Sequence, residues 1–151
     1  MATTASDFAK LVSVTPLSKL SDALGDFVRD GGHICEMVMD RNWKVSITQL
    51  RHVFSELMSI ARSGRSLPRE ADTSRDDFCR LRTRLVMMQP LLAYAEARGI
   101  KGANSALRQA LLPLTNESRY QGRDDFAVLE SLMTAFIDYQ KLRDASKDQE
   151  G

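Results

Sequence analysis

Asp76-Asp-Phe-Cys-Arg-Leu-Arg-Thr-Arg-Leu-Val-Met-Met-Gln-Pro-Leu-Leu-Ala-Tyr-Ala-Glu-Ala-Arg98 is the stretch whose reading decides the fold. Phe78, Leu81, Leu85, Met88, Leu92 and Ala95 recur at intervals of three and four, the spacing of one face of an α-helix. Asp76 and Asp77 stand where acids offset the dipole of a helix start, with Thr73 or Ser74 as the cap. Pro90 lies inside the pattern. It lacks an N–H and crowds the preceding turn, which predicts a kink.

The same period continues on both sides. Upstream, Ser46-Ile-Thr-Gln49 reads as a capping box opening a helix through Ile47, Leu50, Phe54, Leu57 and Ala61. Residues 63–73, rich in Ser, Gly, Pro and Asp, read as a loop. Further back, Thr15-Pro16 reads as an N-cap with proline in the first turn, and Leu17, Leu20, Leu24, Phe27 and Val28 follow at helical spacing. Gly31-Gly32 ends that segment, and His33–Asp40 fits a short helix through Ile34, Met37 and Val38. Downstream, Ala103–Leu114 gives a helix through Leu107, Ala110, Leu111 and Leu114, which Pro113 ends or bends. After a polar connection over 115–123, a last helix starts near Asp124 and carries Phe126, Leu129, Met133, Phe136 and Ile137.

No segment alternates apolar and polar residues in the manner of a strand. The expected fold is therefore all-α, a single compact bundle of about five helices. Its expected span is 16–145, with 1–15 a flexible N-terminal segment and 146–151 a disordered tail. A chain of 151 residues suits one domain with a core that needs no staples. No apolar run is long enough to span a bilayer, and Met1–Asp7 lacks the regions of a secretory signal. Cys35 and Cys79 make no disulfide framework, so a reduced, cytoplasmic location is expected.

Charge is unevenly distributed. The chain carries a formal net charge of only +1, yet residues 41–123 hold fifteen Lys/Arg, thirteen of them Arg, against seven Asp/Glu. A basic middle between acidic ends is how a phosphate-binding face can hide inside a nearly neutral protein. Arginine suits phosphate because its planar fork stays charged and donates two parallel hydrogen bonds.

Catalytic groupings are weak. His33-Ile-Cys35 is half of a metal site with no further ligands in view, and the simpler reading is a surface imidazole beside a half-buried thiol. Asp76-Asp77 and Asp124-Asp125 sit at helix starts, where capping explains them better than acid–base chemistry. Gly31-Gly32 and Gly99-Ile-Lys-Gly102 lack the context of a phosphate loop. No catalytic residue, metal ligand set or cofactor is expected.

The arginines form lines. Arg51, Ser55, Met58 and Arg62 share one stripe bordering the apolar face of their helix. Arg80, Arg84, Met87, Leu91 and Arg98 share another, with Tyr94 beside it and Arg75 and Arg82 pointing away. Arg65 and Arg69 lie in the intervening loop. With the two helices antiparallel, Arg62, Arg65, Arg69 and Arg75 gather at one end, and Arg51 and Arg98 lie near the other. Tyr94 is expected to pack near the core rather than to stack a base. From charge alone, nucleic-acid binding, a protein-binding patch and a plain solvated face all remain open. No base-reading motif is present, so any nucleic acid would be held by backbone or shape.

Three segments carry a resemblance. They are Gln49-Leu-Arg51-His-Val-Phe54, then Leu85-Val-Met-Met-Gln-Pro-Leu-Leu-Ala-Tyr94-Ala-Glu-Ala-Arg98, then Phe126-Ala-Val-Leu129 with Met133-Thr-Ala-Phe-Ile-Asp-Tyr139-Gln-Lys141. In order and spacing they resemble the small subunit of the type III-A CRISPR effector, the Csm complex. The likeness covers residues 46–142; Thr134 and Gln140 depart from it, standing where Glu and His are common, and residues 1–45 lie outside. The resemblance implies a non-catalytic helical subunit in antiviral defence. Several copies would stack beside the filament of repeated backbone subunits, along the path of guide RNA and target RNA and near the large polymerase-like subunit. Cleavage and cyclic-oligoadenylate synthesis would belong to other subunits. Arg51 and Arg98 lie in the matching segments. Arg62, Arg65, Arg69, Arg75, Arg80, Arg82 and Arg84 join the expected RNA-binding set through helix geometry and charge. The competing expectations are a helical adaptor whose basic face docks an acidic protein, and the equivalent small subunit of a type III-B complex.

Overall fold

Phe136 and Phe126 anchor the last helix, and the other elements pack around it. A computed structural model describes residues 4–13, 16–41, 43–45, 47–98 and 105–150. Among them are α1 (Ala5–Leu11), a 3₁₀ segment (Leu17–Ala23), α2 (Leu24–Val28), α3 (His33–Met39), α4 (Ile47–Arg65), α5 (Asp76–Arg98), α6 (Ser105–Leu111) and α7 (Arg123–Glu150). Two 3₁₀ turns, Leu112–Thr115 and Glu117–Arg119, join α6 to α7. The described residues hold helices and no strand, as the periodicity predicts, but seven α-helices where about five were expected.

The difference lies in the N-terminal third. Within 1–15, Ala5–Leu11 form α1, closed by a capping box: Thr4 Oγ1 accepts from Asp7 N at 3.1 Å and Asp7 Oδ2 accepts from Thr4 N at 3.2 Å. Phe8 is fully buried, edge-on to Phe27 and to Phe136 at centroid distances of 5.9 and 5.3 Å. The segment expected over 17–28 is a 3₁₀ helix running into the single turn of α2, with Leu17, Leu20 and Phe27 buried as the spacing requires. The readings of a cap at Thr15, a capping box at Ser46 and a turn at Gly99–Gly102 fall outside the described residues.

α4 lies antiparallel to α7. Phe54 meets Phe136 at 5.3 Å near one end, and Gly64 faces Phe126 near the other. Trp43 completes the cluster around Phe136, at 6.2 Å. A second aromatic group joins Phe126 to Phe78 of α5 at 5.4 Å and to Tyr120 at 5.0 Å. α5 packs on the far side of α4 and continues without a break through Pro90, whose ring faces solvent. As expected, α6 gives way to a 3₁₀ turn around Pro113.

Polar groups of α7 fasten the N-terminal elements. At its start, buried Asp125 accepts from the backbone N–H of Gln121 at 2.8 Å, Gly122 at 3.0 Å and distant Ser18. Capping thus explains this carboxylate, as its position predicts. Further along, Tyr139 donates to Val28 O at 2.7 Å, and Arg143, only 8% exposed, donates to Val38 O and Asp40 O at 2.6 Å each. These carbonyls end α2 and α3, where a cation and a phenol serve as caps. Gln140 accepts from Trp43 Nε1 at 2.8 Å and donates to Val45 O at 3.1 Å. α7 then runs on to Glu150, past the boundary expected near residue 145.

Gly64 was expected in a loop but lies within α4. A Cβ there would fall inside the van der Waals envelope of the Phe126 ring, so only glycine lets the helices approach this closely. Alanine elsewhere in a helix is favoured over glycine by about 1 kcal/mol. Here the forced overpacking, typically about 1–3 kcal/mol, outweighs that gain. Gly64→Ala is expected to lower the thermal midpoint by roughly 2–8 °C in a calorimetric scan; an increase would show that the close approach is not a constraint.

Candidate nucleic-acid interface

Val53, Phe54, Leu57, Ile60 and Ala61 turn one side of α4 into the core, which fixes what the helix shows outside. Its outer side borders two open grooves. The first, about 710 Å³, runs between α4 and α7 and is lined by Arg51, Phe54, Ser55, Met58 and Arg62, with Ile137 opposite. All four members of the stripe read from spacing, Arg51, Ser55, Met58 and Arg62, therefore line one groove. The second, about 500 Å³, lies between α4 and α5 and is lined by His52, Ser55, Glu56, Arg84, Met87 and Leu91. The pairings across this groove run antiparallel, with Glu56 beside Arg84. Ser55, Ser59 and Ser63, four residues apart, form a low hydroxyl strip down the exposed side of α4.

The arginines differ in what holds them. Arg51, Arg69 and Arg80 are exposed and have no acidic group within ion-pair distance among the described residues. Arg62 lies 3.9 Å from Glu130 of α7, which also takes a close ion pair from Arg65. Arg84 donates to Glu56 at 2.8 Å and to the Ser59 hydroxyl at 3.3 Å. Arg75 forms a two-pronged contact with Asp77, at 2.9 and 3.1 Å. Arg82 turns to the other side of α5 and donates to Glu117 O at 3.0 Å, bracing the turn before α7. Arg98 is the last residue of α5; its side chain lies outside the described set.

Sequence spacing thus finds the α4 line, while the cluster expected at the loop end is diluted by acids. Glu70, Asp72, Asp76 and Asp77 share that end with Arg69 and Arg75. Asp72 is held below the usual carboxylate range by the hydroxyl and backbone N–H of Ser74, and Asp77 by hydrogen bonds from Arg75. Both carboxyls stay ionised at neutral pH and offset the nearby cations. The α4–α5 face carries the cations that project over open grooves.

Tyr94 corrects an expectation. It is 60% exposed and does not pack into the core, and Met87, seven residues earlier on the same helix, is 65% exposed. The buried aromatic residues come from other elements. Tyr120 has its phenol pushed well up by burial and by Asp125, and donates to Leu114 O at 2.6 Å. Burial also raises Tyr139. Both remain protonated donors, suited to holding structure.

His33 lies against the Phe27 ring at 5.0 Å, and Cys35 is buried with its thiol 3.8 Å from Asp30. No group of three or more His, Cys, Asp or Glu side chains converges to hold a metal ion among the described residues. No described helix is long and apolar enough to cross a membrane.

The fold and this face define a small helical protein with a basic groove exposed beside its spine helix. The model of the family Csm2 Type III-A matches residues 22–146. The chain belongs to that family and is a small subunit of the type III-A Csm complex, which makes other Csm subunits its associates. The family reaches further toward the N-terminus than the segments at 46–142 indicate, and takes in part of the 3₁₀ segment, α2 and α3. No curated protein and no solved structure matches the chain.

The Arg84–Glu56 pair is exposed on both sides, 39% and 48%, so solvent screens it and a phosphate can replace the carboxylate at little cost. A double-mutant cycle with Arg84→Ala and Glu56→Ala, read by urea unfolding, should give a coupling below about 1 kcal/mol. A coupling of about 3 kcal/mol or more would mean that the pair holds α5 to α4 and is unavailable to a ligand.

Proposed function

We propose that this chain is a non-catalytic, RNA-binding structural subunit of the type III-A Csm surveillance complex, acting in the cytoplasm in antiviral defence. It lies along the guide RNA and target RNA path and holds phosphates without reading sequence. Its neighbours are the repeated backbone subunit, the large polymerase-like subunit and further copies of itself. The observation that carries the reading is the groove lined by Arg51, Ser55, Met58 and Arg62, in a chain that belongs to the Csm2 family. Exposed cations and serine hydroxyls line the groove above buried Phe54 and Met58, and the cations and hydroxyls suit successive phosphates. Arg80 and Arg84 extend the basic face across α5, and Arg65, Arg69 and Arg75 flank it; Arg98, the last residue of α5, completes the proposed set by its place in the sequence. Arg82, tied to Glu117 O, contributes to the fold instead.

Counterion release makes such binding strongly salt-dependent, with a slope of about −0.7 per phosphate on a single strand. Fluorescence anisotropy of the full chain with a labelled RNA across a salt series tests this. Arg51→Ala and Arg62→Ala should each weaken binding uniformly across sequences and flatten the slope by about 0.7. Arg82→Ala should lower stability and leave the slope unchanged. No RNA association at low salt, together with failure to join guide-loaded backbone subunits, would contradict the reading. Competition by an acidic peptide but not by RNA would favour a protein-docking face.

A further inference from the structure

Most of the exposed face is charge and hydroxyl, but the α5 side of the second groove is not. Met87 and Tyr94 are the two most exposed large hydrophobic residues among those described. They stand seven residues apart, about two helical turns or 10 Å, on one side of α5. Arg80 lies seven residues before Met87 on the same line. Leu91 sits between Met87 and Tyr94 and lines the groove, with His52 of α4 on the opposite wall. Polar groups collect at one edge, where Arg84 is held by Glu56 at 2.8 Å and by Ser59 at 3.3 Å.

This is a slot with apolar or aromatic walls, a polar edge and cations on its rim. Its volume of about 500 Å³ falls within the range of small-molecule sites. Phosphates alone need no thioether, leucine or tyrosine. A flat heterocycle with a charged backbone needs all of these: apolar surface for its faces, hydrogen-bonding groups for its edge, and arginines for the adjoining phosphates. A paired base cannot enter, because its faces are covered by its neighbours in the stack.

We infer that the groove between α4 and α5 is a binding site for unpaired nucleobases, with one base seated between His52 and Met87–Leu91 and a neighbour stacked on Tyr94. The inference rests on the RNA reading above and narrows it, from any RNA backbone to RNA that presents unstacked bases. Stacking is sequence-tolerant, since every base has a π-face, so the site adds affinity without adding sequence preference.

The test uses the full chain and three labelled probes: a 15-nucleotide oligouridylate, an abasic ribose-phosphate strand of the same length, and a 15-base-pair RNA duplex. The unmodified protein should bind oligouridylate about tenfold more tightly than the abasic strand. Tyr94→Ala and Met87→Ala should remove most of that preference while leaving abasic binding, duplex binding and the salt slope unchanged. Tyr94→Phe should retain it. Both side chains are mostly exposed, so the variants should keep the parent's circular dichroism and thermal midpoint. Equal affinity for oligouridylate and abasic strand in the unmodified protein would overturn the base site and leave the phosphate reading intact. Parallel loss on all three probes in Tyr94→Ala would overturn it as well. Failure to bind any of the probes would overturn this site, and the RNA reading falls with it if the chain also fails to join guide-loaded backbone subunits.

Discussion

The ring of Phe136 is the point on which this structure depends. Phe8 and Phe54 meet it edge-on at 5.3 Å each, and Trp43 lies tilted against it at 6.2 Å. One side chain of α7 thereby joins α1, α4 and the segment leading into α4. Buried aromatic contacts contribute both area and geometry, so they set orientation as well as proximity. Phe126, ten residues back along α7 and about 15 Å away, makes the second fixed point against Gly64 and Phe78.

Two fixed points on one pair of helices leave α4 no freedom to roll about its axis. With Val53, Phe54, Leu57 and Ala61 turned inward, Arg51, Ser55, Ser59 and Arg62 must face out. α7 bounds that outer face on one side and α5 on the other, so a helix surface becomes the ridge between two grooves. The charges are therefore placed by the core. The carboxylates of Glu56 and Glu130 hold some of the cations; the Glu56 contact is exposed on both sides, so an incoming phosphate can replace it, whereas Glu130 is only 20% exposed.

Sequence made the long helices legible because each repeats large apolar residues over several turns. It also made the α4 stripe legible, since four residues at helical spacing keep to one line whatever the neighbours are. α1 was hidden because Phe8 is its one large fully buried side chain, and a single residue carries no period. Gly64 reads as a loop residue by local preference; the reason for its place in a helix is a ring 62 positions later. Arg82 and Arg143 look like surface cations in sequence, and their partners are distant backbone carbonyls. Tyr94 looks like a core residue because it sits in an apolar run, but it lies on the exposed side of α5 with Met87, away from the core.

The central claim is that the face built by α4 and α5, rather than the arginine-bearing loop between them, follows the RNA in the assembled complex. Covalent modification of arginines by a dicarbonyl reagent, read by mass spectrometry, tests it directly. The assembled complex would be compared with the same proteins after the RNA has been digested. RNA should protect Arg51, Arg62, Arg80 and Arg84 and leave Arg69 and Arg75 equally reactive in both states. Protection confined to Arg69 and Arg75, with Arg51 and Arg62 unchanged, would contradict the account.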